Sequence, residues 1–180
     1  MARLRKFCSY RRLERPYTRI SKYRKKSYIK INPNCKIVKF DMGEASKKFP
    51  FSLALVSKTD LQIRHEALES ARKTSNRILE KVLGKTGYFM RVRVYPYHIL
   101  RENPLASGAG ADRMSTGMAK AFGKPIGIAA QVKKGQPVFS IDVEKKNLTT
   151  ARLALKRASY KLPNSYAIEV VQSPEKQKNN

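Results

Sequence analysis

The sequence predicts an α+β domain: a mixed, mainly antiparallel sheet with two helices packed on one face. Three observations carry that prediction. Two amphipathic helical stretches lie far apart in the chain, near residues 60–83 and 148–162. Between and around them run segments with the two-residue alternation of half-buried strands, most clearly Gly87–Leu100. The order is strands, helix, strand, long loop, hairpin, helix, strand, and no internal repeat is apparent.

Residues 1–35 form a block of their own. Twelve Lys or Arg and one acid, Glu14, fall between Met1 and Lys30, and Phe7, Tyr10, Tyr17, Tyr23 and Tyr28 are interleaved with them. Arginine and lysine neutralise phosphates, and tyrosine rings stack on unpaired bases, so this composition favours a nucleic-acid-binding arm over idle solvation. Residues 36–172 read as the globular domain and 173–180 as a polar tail. Lys36–Phe40 and Phe51–Val56 read as strands. Thr59 then stands as N-cap of the first helix, with Gln62 completing a capping box. Ile63, Ala67, Ala71, Ile78 and Val82 mark its apolar face and Gly84 its end. Arg64, Arg72, Lys73 and Arg77 fall on its polar side, which is either an RNA-facing surface or a solvated one.

In Gly87–Leu100, Tyr88, Met90, Val92 and Val94 alternate with Phe89, Arg91, Arg93 and Tyr95, so one face is apolar and the other basic and aromatic. Pro96 bends or ends that ladder. Ile126–Val132 and Pro137–Val143 read as a hairpin turning at Gly135. Asn147 is placed to cap the second helix, whose stripe is Leu148, Ala151, Leu155, Ala158 and Leu162, ended by Pro163. Ser165–Val171 closes the domain as a strand.

Charge bounds the partners. With 39 Lys and Arg against 13 Asp and Glu, the formal charge is +26. Self-repulsion on that scale calls for a polyanion, and 41% hydrophobic residues still permit a real core. Apolar runs fall far short of the roughly 20 residues that span a bilayer, so neither a membrane nor a secretory leader is expected. Cys8 and Cys35 read as reduced thiols.

The 25 residues from Arg101 to Pro125 form a loop far longer than the roughly 2–6 residues of an ordinary connection. Catalytic and cofactor readings of the chain fail on spacing. His65-Glu66-Ala67-Leu68-Glu69 is close to HExxH but has Glu where the second histidine ligand belongs, so no metal is expected. Gly108-Ala109-Gly110 lacks the third glycine of a dinucleotide loop, since Arg113 occupies it, and Gly123-Lys124 is followed by Pro125 rather than Ser or Thr. No cofactor is expected. Two histidines leave little room for acid–base catalysis, and the alternative of an RNA-processing or RNA-modifying enzyme with a basic cleft lacks a convergent acid–base set. A DNA-compacting protein would explain the charge but not the loop. Gly108, Gly110 and Gly117 let the loop backbone approach RNA closely, and Arg101, Arg113, Lys120 and Lys124 supply charge. Met114, Met118 and Phe122 recur every four residues, a spacing that favours packing onto the domain over base stacking.

Several motifs are familiar in combination. Lys39-Phe40-Asp41-Met42-Gly43, Gln62-Ile63-Arg64-His65-Glu66-Ala67-Leu68-Glu69 and Arg91-Val92-Arg93-Val94-Tyr95-Pro96 are followed by Leu100-Arg101-Glu102-Asn103, Gly108-Ala109-Gly110-Ala111-Asp112-Arg113 and Ala121-Phe122-Gly123-Lys124-Pro125. In that order they resemble the large-subunit ribosomal proteins called L-sixteen in bacteria and L-ten-e in archaea and eukaryotes, on the archaeal and eukaryotic side. The arm departs from the family over Lys22–Asn34, which is lysine-rich.

The resemblance implies an α/β-hammerhead fold and a structural, non-enzymatic role in the cytoplasmic ribosome. The partners it implies are large-subunit rRNA, neighbouring ribosomal proteins and the acceptor end of tRNA, with no homo-oligomer. The long loop would point toward the peptidyl transferase centre, with Arg101, Glu102 and Asn103 and the run Ser107, Gly108, Ala109, Gly110, Ala111, Asp112, Arg113 and Met114 in its tip region. Charge and motif together nominate as rRNA contacts Arg3, Arg5, Lys6, Arg11, Arg12, Arg15, Tyr17, Arg19, Arg24, Lys25 and Lys26 in the arm. In the domain they nominate Arg64, His65, Arg91, Arg93, Lys120 and Lys124. A role in subunit assembly accompanies that placement.

Overall fold

A computed structural model describes residues 6–18, 22–23, 25, 33–103, 117–119 and 121–172. Among these residues, eight strands and two long helices follow in the order β1 (Asp41–Gly43), β2 (Phe51–Ser57), β3 (Leu61–Arg64), α1 (His65–Leu83), β4 (Tyr88–Val92), β5 (His98–Glu102), β6 (Lys124–Val132), β7 (Pro137–Val143), α2 (Leu148–Ser159) and β8 (Tyr166–Gln172). The α+β class is as the sequence predicts. All the strand pairs are antiparallel, and the strands divide between two sheets: five in the order β1-β4-β7-β2-β8 and three in the order β3-β6-β5.

The chain passes from one sheet to the other at three short joints: β2 to β3 through residues 58–60, β4 to β5 through 93–97, and β6 to β7 through 133–136. The last joint corrects the expected hairpin. Its turn is tight, with Gly135 at φ 81° and the Gln136 N–H donating to the Lys133 carbonyl, but β6 and β7 do not pair with each other. Each is the middle strand of a different sheet, so both of its edges are already taken. The turn is instead tied to the end of β2, where the Gly135 N–H donates to the Ser57 carbonyl and the Lys134 N–H to Asp60 Oδ1.

The first helix also begins later than Thr59 and Gln62 suggest. Leu61 and Ile63 are fully buried and pair with β6, so residues 61–64 are more stable as a strand, and α1 starts at His65 without a side-chain cap. Gly84 ends it as expected, at φ 68°. Its buried face runs through Leu68, Ala71, Ser75 and Leu79, while Val82 is exposed. Arg72, assigned by periodicity to the polar side, is buried. Small residues let α1 and α2 approach closely, and the Ser75 hydroxyl donates to the Ala154 carbonyl at 3.2 Å. In α2, Ala151, Ala154, Leu155 and Ala158 are buried, with Leu162 just beyond. Asn147 precedes this helix as expected, although its side chain caps nothing.

The first strand is Asp41–Gly43 rather than Lys36–Phe40, because the Lys36 and Val38 N–H groups are taken by side chains of α1 instead of a neighbouring strand. One core fills the space between helices and sheets: Leu53, Leu55, Met90, Phe139 and Ile141 of the large sheet meet Leu68, Leu79 and Leu155 of the helices and Leu61, Ile63 and Val132 of the small sheet. No helix among the described residues is long and apolar enough to cross a membrane.

Candidate nucleic-acid interface

From β4 through the joint to β5, side chains alternate without interruption. Tyr88, Met90, Val92, Val94 and His98 are buried, whereas Arg93, Tyr95 and Tyr97 are exposed and Phe89 and Arg91 half-buried. Period-two geometry therefore builds the basic and aromatic face that the sequence anticipates. Neighbours hold these side chains in place. Tyr95 stacks on Phe40 with ring centroids 5.5 Å apart and planes 24° from parallel. Arg91 lies over the Phe89 ring at 5.2 Å, and its Nε donates to Asp41 Oδ1 at 2.7 Å. Arg93 Nε donates to the Ser140 hydroxyl. A groove of about 470 Å³ opens between this face and the arm, lined by Leu13, Pro16, Arg93, Tyr95, Tyr97 and Lys133.

The arm lies across the small sheet, tied down through its backbone. Gln62 of β3 and Gln131 of β6 are cross-strand partners, and their amides donate to the carbonyls of Arg12 and Glu14, the latter at 3.0 Å. Tyr17 then meets β5: its N–H donates to His98 Nδ1 at 2.9 Å and its carbonyl accepts from the Ile99 N–H at 2.7 Å. Main-chain anchoring leaves the arm's charges outward, and Lys6, Arg11, Arg12 and Arg15 are exposed. Lys25 and Lys124 are exposed as well. Sequence reasoning nominates neither glutamine. A polar Gln62 between buried Leu61 and Ile63 is a signal of something to bind, but not of what.

The feet of the long loop are built from the same neighbourhood. Arg101 and Glu102 end β5 and pair with Pro125 and Lys124, so Arg101–Asn103 stand at the loop's foot and not at its tip. The Arg101 guanidinium lies 3.8 Å from the Tyr17 ring centroid and 5.1 Å from that of Phe122, and its Nη1 donates to the Phe122 carbonyl. Phe122 thus packs onto the domain, as its spacing suggests, and meets Tyr17 edge-on. Asn103 donates to the Gly117 carbonyl at 3.1 Å, closing the foot. Gly117–Ala119 form a turn.

His65 requires a correction. It is 2% exposed, so its ring cannot reach RNA. Nδ1 accepts from the Lys36 N–H at 3.3 Å and Nε2 faces Glu66 Oε1 at 3.1 Å, which fastens the chain before β1 to the start of α1. Glu69 and Arg72 do the same one turn on. Arg72 donates to both Glu69 oxygens at 2.7 Å in a fork, and Glu69 Oε2 accepts from the Val38 N–H. The Arg72 hydrogen bonds hold the Glu69 carboxyl below its ordinary range. Lys73 also pairs with Glu69, as helical spacing suggests. His98 is buried too, and desolvation lowers its pKa below the ordinary 6.5.

Arg64 is half-buried beneath the arm, 5.7 Å from the Tyr10 ring. Arg3, Arg5, Arg19, Arg24, Lys26, Lys120 and the run Ser107–Met114 lie outside the described residues, as does the tail 173–180. Cys8 and Cys35 are free thiols. Among the described residues no group of His, Cys, Asp or Glu is placed to hold a metal ion.

A strongly basic α+β domain, with an arm fastened through its backbone and an ordered basic-aromatic face, has the surface of a polyanion-facing protein. Residues 18–169 match the family model for ribosomal protein L16p/L10e, and the chain belongs to that family. It is 46% identical over 166 residues to the large ribosomal subunit protein uL16 of Methanococcus maripaludis, covering 92% of this chain and 93% of that protein. Proteins of the same name from Archaeoglobus fulgidus (45% over 161 residues, 89% of each chain) and Methanocella arvoryzae (46% over 153 residues, 85% of this chain and 89% of that one) are similar in the same way.

Proposed function

We propose that this chain is a non-catalytic structural protein of the large ribosomal subunit that binds large-subunit rRNA through its arm and basic-aromatic face. The observation that carries the proposal is the anchoring of the arm by its own carbonyls and amides. Gln62, Gln131, His98 and Ile99 hold the backbone, so the guanidinium groups of Arg11, Arg12 and Arg15 stay turned outward for phosphates. Beside them Arg93, Tyr95 and Tyr97 offer charge and rings to an unpaired stretch of RNA. Family membership supplies the partner class: rRNA and neighbouring ribosomal proteins, in the ribosome of the cytoplasm.

In the same reading the loop 101–125 reaches toward the peptidyl transferase centre and the tRNA acceptor end. Its feet are stiff where Arg101 is clasped by Tyr17 and Phe122, and Gly108 and Gly110 let its far part lie close to RNA. The protein then supports translation by positioning, and subunit assembly by fastening rRNA.

The test is binding of the full chain to transcribed archaeal large-subunit rRNA over a salt series. Arg11→Ala, Arg12→Ala and Arg15→Ala together should weaken binding and reduce the slope of log K against log salt by about 1 for each phosphate that is no longer neutralised. A slope that does not move would show that these arginines touch no phosphate. Gly108→Val with Gly110→Val should leave incorporation intact and slow peptide-bond formation in subunits that carry it. Loss of incorporation first would make the loop an assembly anchor.

A further inference from the structure

We infer that the outer face of α2 lies along the shallow groove of an RNA duplex. The inference rests on the rRNA-binding reading above and adds a surface that the reading leaves out. Ala151, Ala154, Leu155 and Ala158 commit one side of α2 to the core, and Arg152, Leu153, Lys156, Arg157, Tyr160 and Lys161 are exposed on the other. Leu153 and Tyr160 are seven residues apart, and Tyr160 keeps helical backbone, so both stand on the midline of the exposed face. Arg152 and Lys156 flank that midline on one side; Arg157 and, just past the helix, Lys161 flank it on the other. Within each pair the side chains are one turn apart, about 6 Å along the axis.

An ordinary solvent face mixes signs, as α1 does with Glu66, Glu69 and Glu80 among its cations. From Leu148 to Lys161 there is no acid at all. The preceding acid, Glu144, is already paired with Lys47 and Lys146. Among the described residues Arg152, Lys156, Arg157 and Lys161 have no carboxylate partner. Like charges at i, i+4 repel, and the first turn holds no acid to meet the helix dipole, so this surface works against its own helix. Such an arrangement calls for a polyanion. Because the apolar side is buried, no face is left to enter a bilayer. The pattern suits duplex RNA better than a single strand. A wide, shallow minor groove shows 2′-hydroxyls between two lines of phosphates, and here cations flank both sides of a midline that carries one aliphatic and one phenolic side chain. Tyr160 is 70% and Leu153 45% exposed, enough to meet that groove floor. The face is also continuous with the arm, since Tyr160 and Lys161 border the same recess as Tyr10 and Arg64.

The experiment uses large subunits assembled with the full chain, with Arg152→Gln plus Lys156→Gln, or with Arg157→Gln plus Lys161→Gln. All four side chains are exposed and glutamine is a comparable helix former, so the free chain at low salt should melt no lower in either variant. A fall would assign these charges to the fold and overturn the inference. Hydroxyl radicals read the rRNA backbone, and dimethyl sulfate with a carbodiimide shows which nucleotides are paired. The expected result is two short protected stretches on opposite strands of one duplex, each variant exposing one of them while the footprint of the arm persists. In binding to the transcribed rRNA, each variant should reduce the slope of log K against log salt by about 2, or about 1 for each phosphate no longer neutralised. An unchanged backbone footprint in both variants overturns the α2 site, whether the face meets solvent or an acidic neighbouring protein, and spares the rRNA-binding reading. Exposure of unpaired nucleotides in place of a duplex overturns the duplex. No footprint from the wild-type chain overturns both.

Discussion

The two sheets share one core but use their polar atoms differently. In the five-stranded sheet the buried side chains are nearly all apolar, and the exceptions, Ser57 and Ser140, bond within the domain. The three-stranded sheet buries Gln62 and His98, and both reach out to the backbone of the arm. One sheet keeps the fold together. The other spends buried polar groups on holding a segment that has no sheet of its own, and the loop feet grow from its strand ends. The charged arm is thus a fitted part of the small sheet over residues 12–17 rather than a tether.

The largest expected effect tests the first half of that comparison. Phe139 is fully buried in β7 and faces Leu55 on one neighbouring strand and Val92 on the other. Phe139→Ala should cost about 3–5 kcal/mol through the burial it gives up and the cavity left behind. Denaturant unfolding should show both sheets failing in one transition, because their side chains share a core. Separate transitions would mean that the small sheet stands alone.

A smaller and local effect tests the second half. Gly123 has φ 73°, and a Cβ there would come 2.9 Å from Met118 Sδ and 3.0 Å from the backbone of Glu102. Gly123→Ala should cost about 1–2 kcal/mol from the left-handed backbone alone. Its mark should be faster amide exchange at the loop feet, in β5 and the start of β6, with β2 and β7 unchanged. Equal loosening of the large sheet would erase the distinction between the two.

What is legible in the sequence follows the range of the forces involved. The alternation from Tyr88 to Tyr97 is a local property of extended chain, and the basic-aromatic face is readable from it. The apolar stripe of α2 is readable for the same reason. The division into two sheets is not, since the choice between pairing β6 with β7 and pairing each with distant strands depends on edges supplied from elsewhere. Leu61 and Ile63 show the same limit: a capping box at Thr59 and Gln62 is good local chemistry, and strand pairing with β6 outweighs it. Residue type alone puts His65 and Arg72 on the surface. They are buried because Lys36, Glu66 and Glu69 give them partners that are either remote in sequence or indistinguishable from ordinary helical pairs. At the arm, charge is legible and the anchoring glutamines are not.

The gentlest prediction uses pH to separate the two regions. His98 and His65 both lie below the ordinary 6.5, chiefly through burial; the charge of Glu14 opposes the shift at His98 and that of Glu66 opposes it at His65. Nearby Arg101 adds to it at the first, Lys36 and Arg64 at the second. In the unfolded chain both take up protons near pH 6.5 while the folded chain still refuses them, so the unfolded state binds more protons and stability falls as the pH is lowered. The contribution is full above that pH and is lost on acidification toward the folded-state values. Each ring accepts a backbone N–H at Nδ1, from Tyr17 at His98 and from Lys36 at His65, and a proton on that nitrogen ends the bond. Melting temperature should therefore be level above about pH 7.5 and drop below about pH 6. His98→Gln supplies an uncharged acceptor for Tyr17. It should remove part of the drop, and arm signals should stay sharp on acidification where those of the wild-type chain are expected to broaden in an NMR spectrum. If the His98→Gln chain instead lost arm and core together at every pH, His98 would belong to the common core, and the small sheet would hold the arm through Gln62 and Gln131 alone.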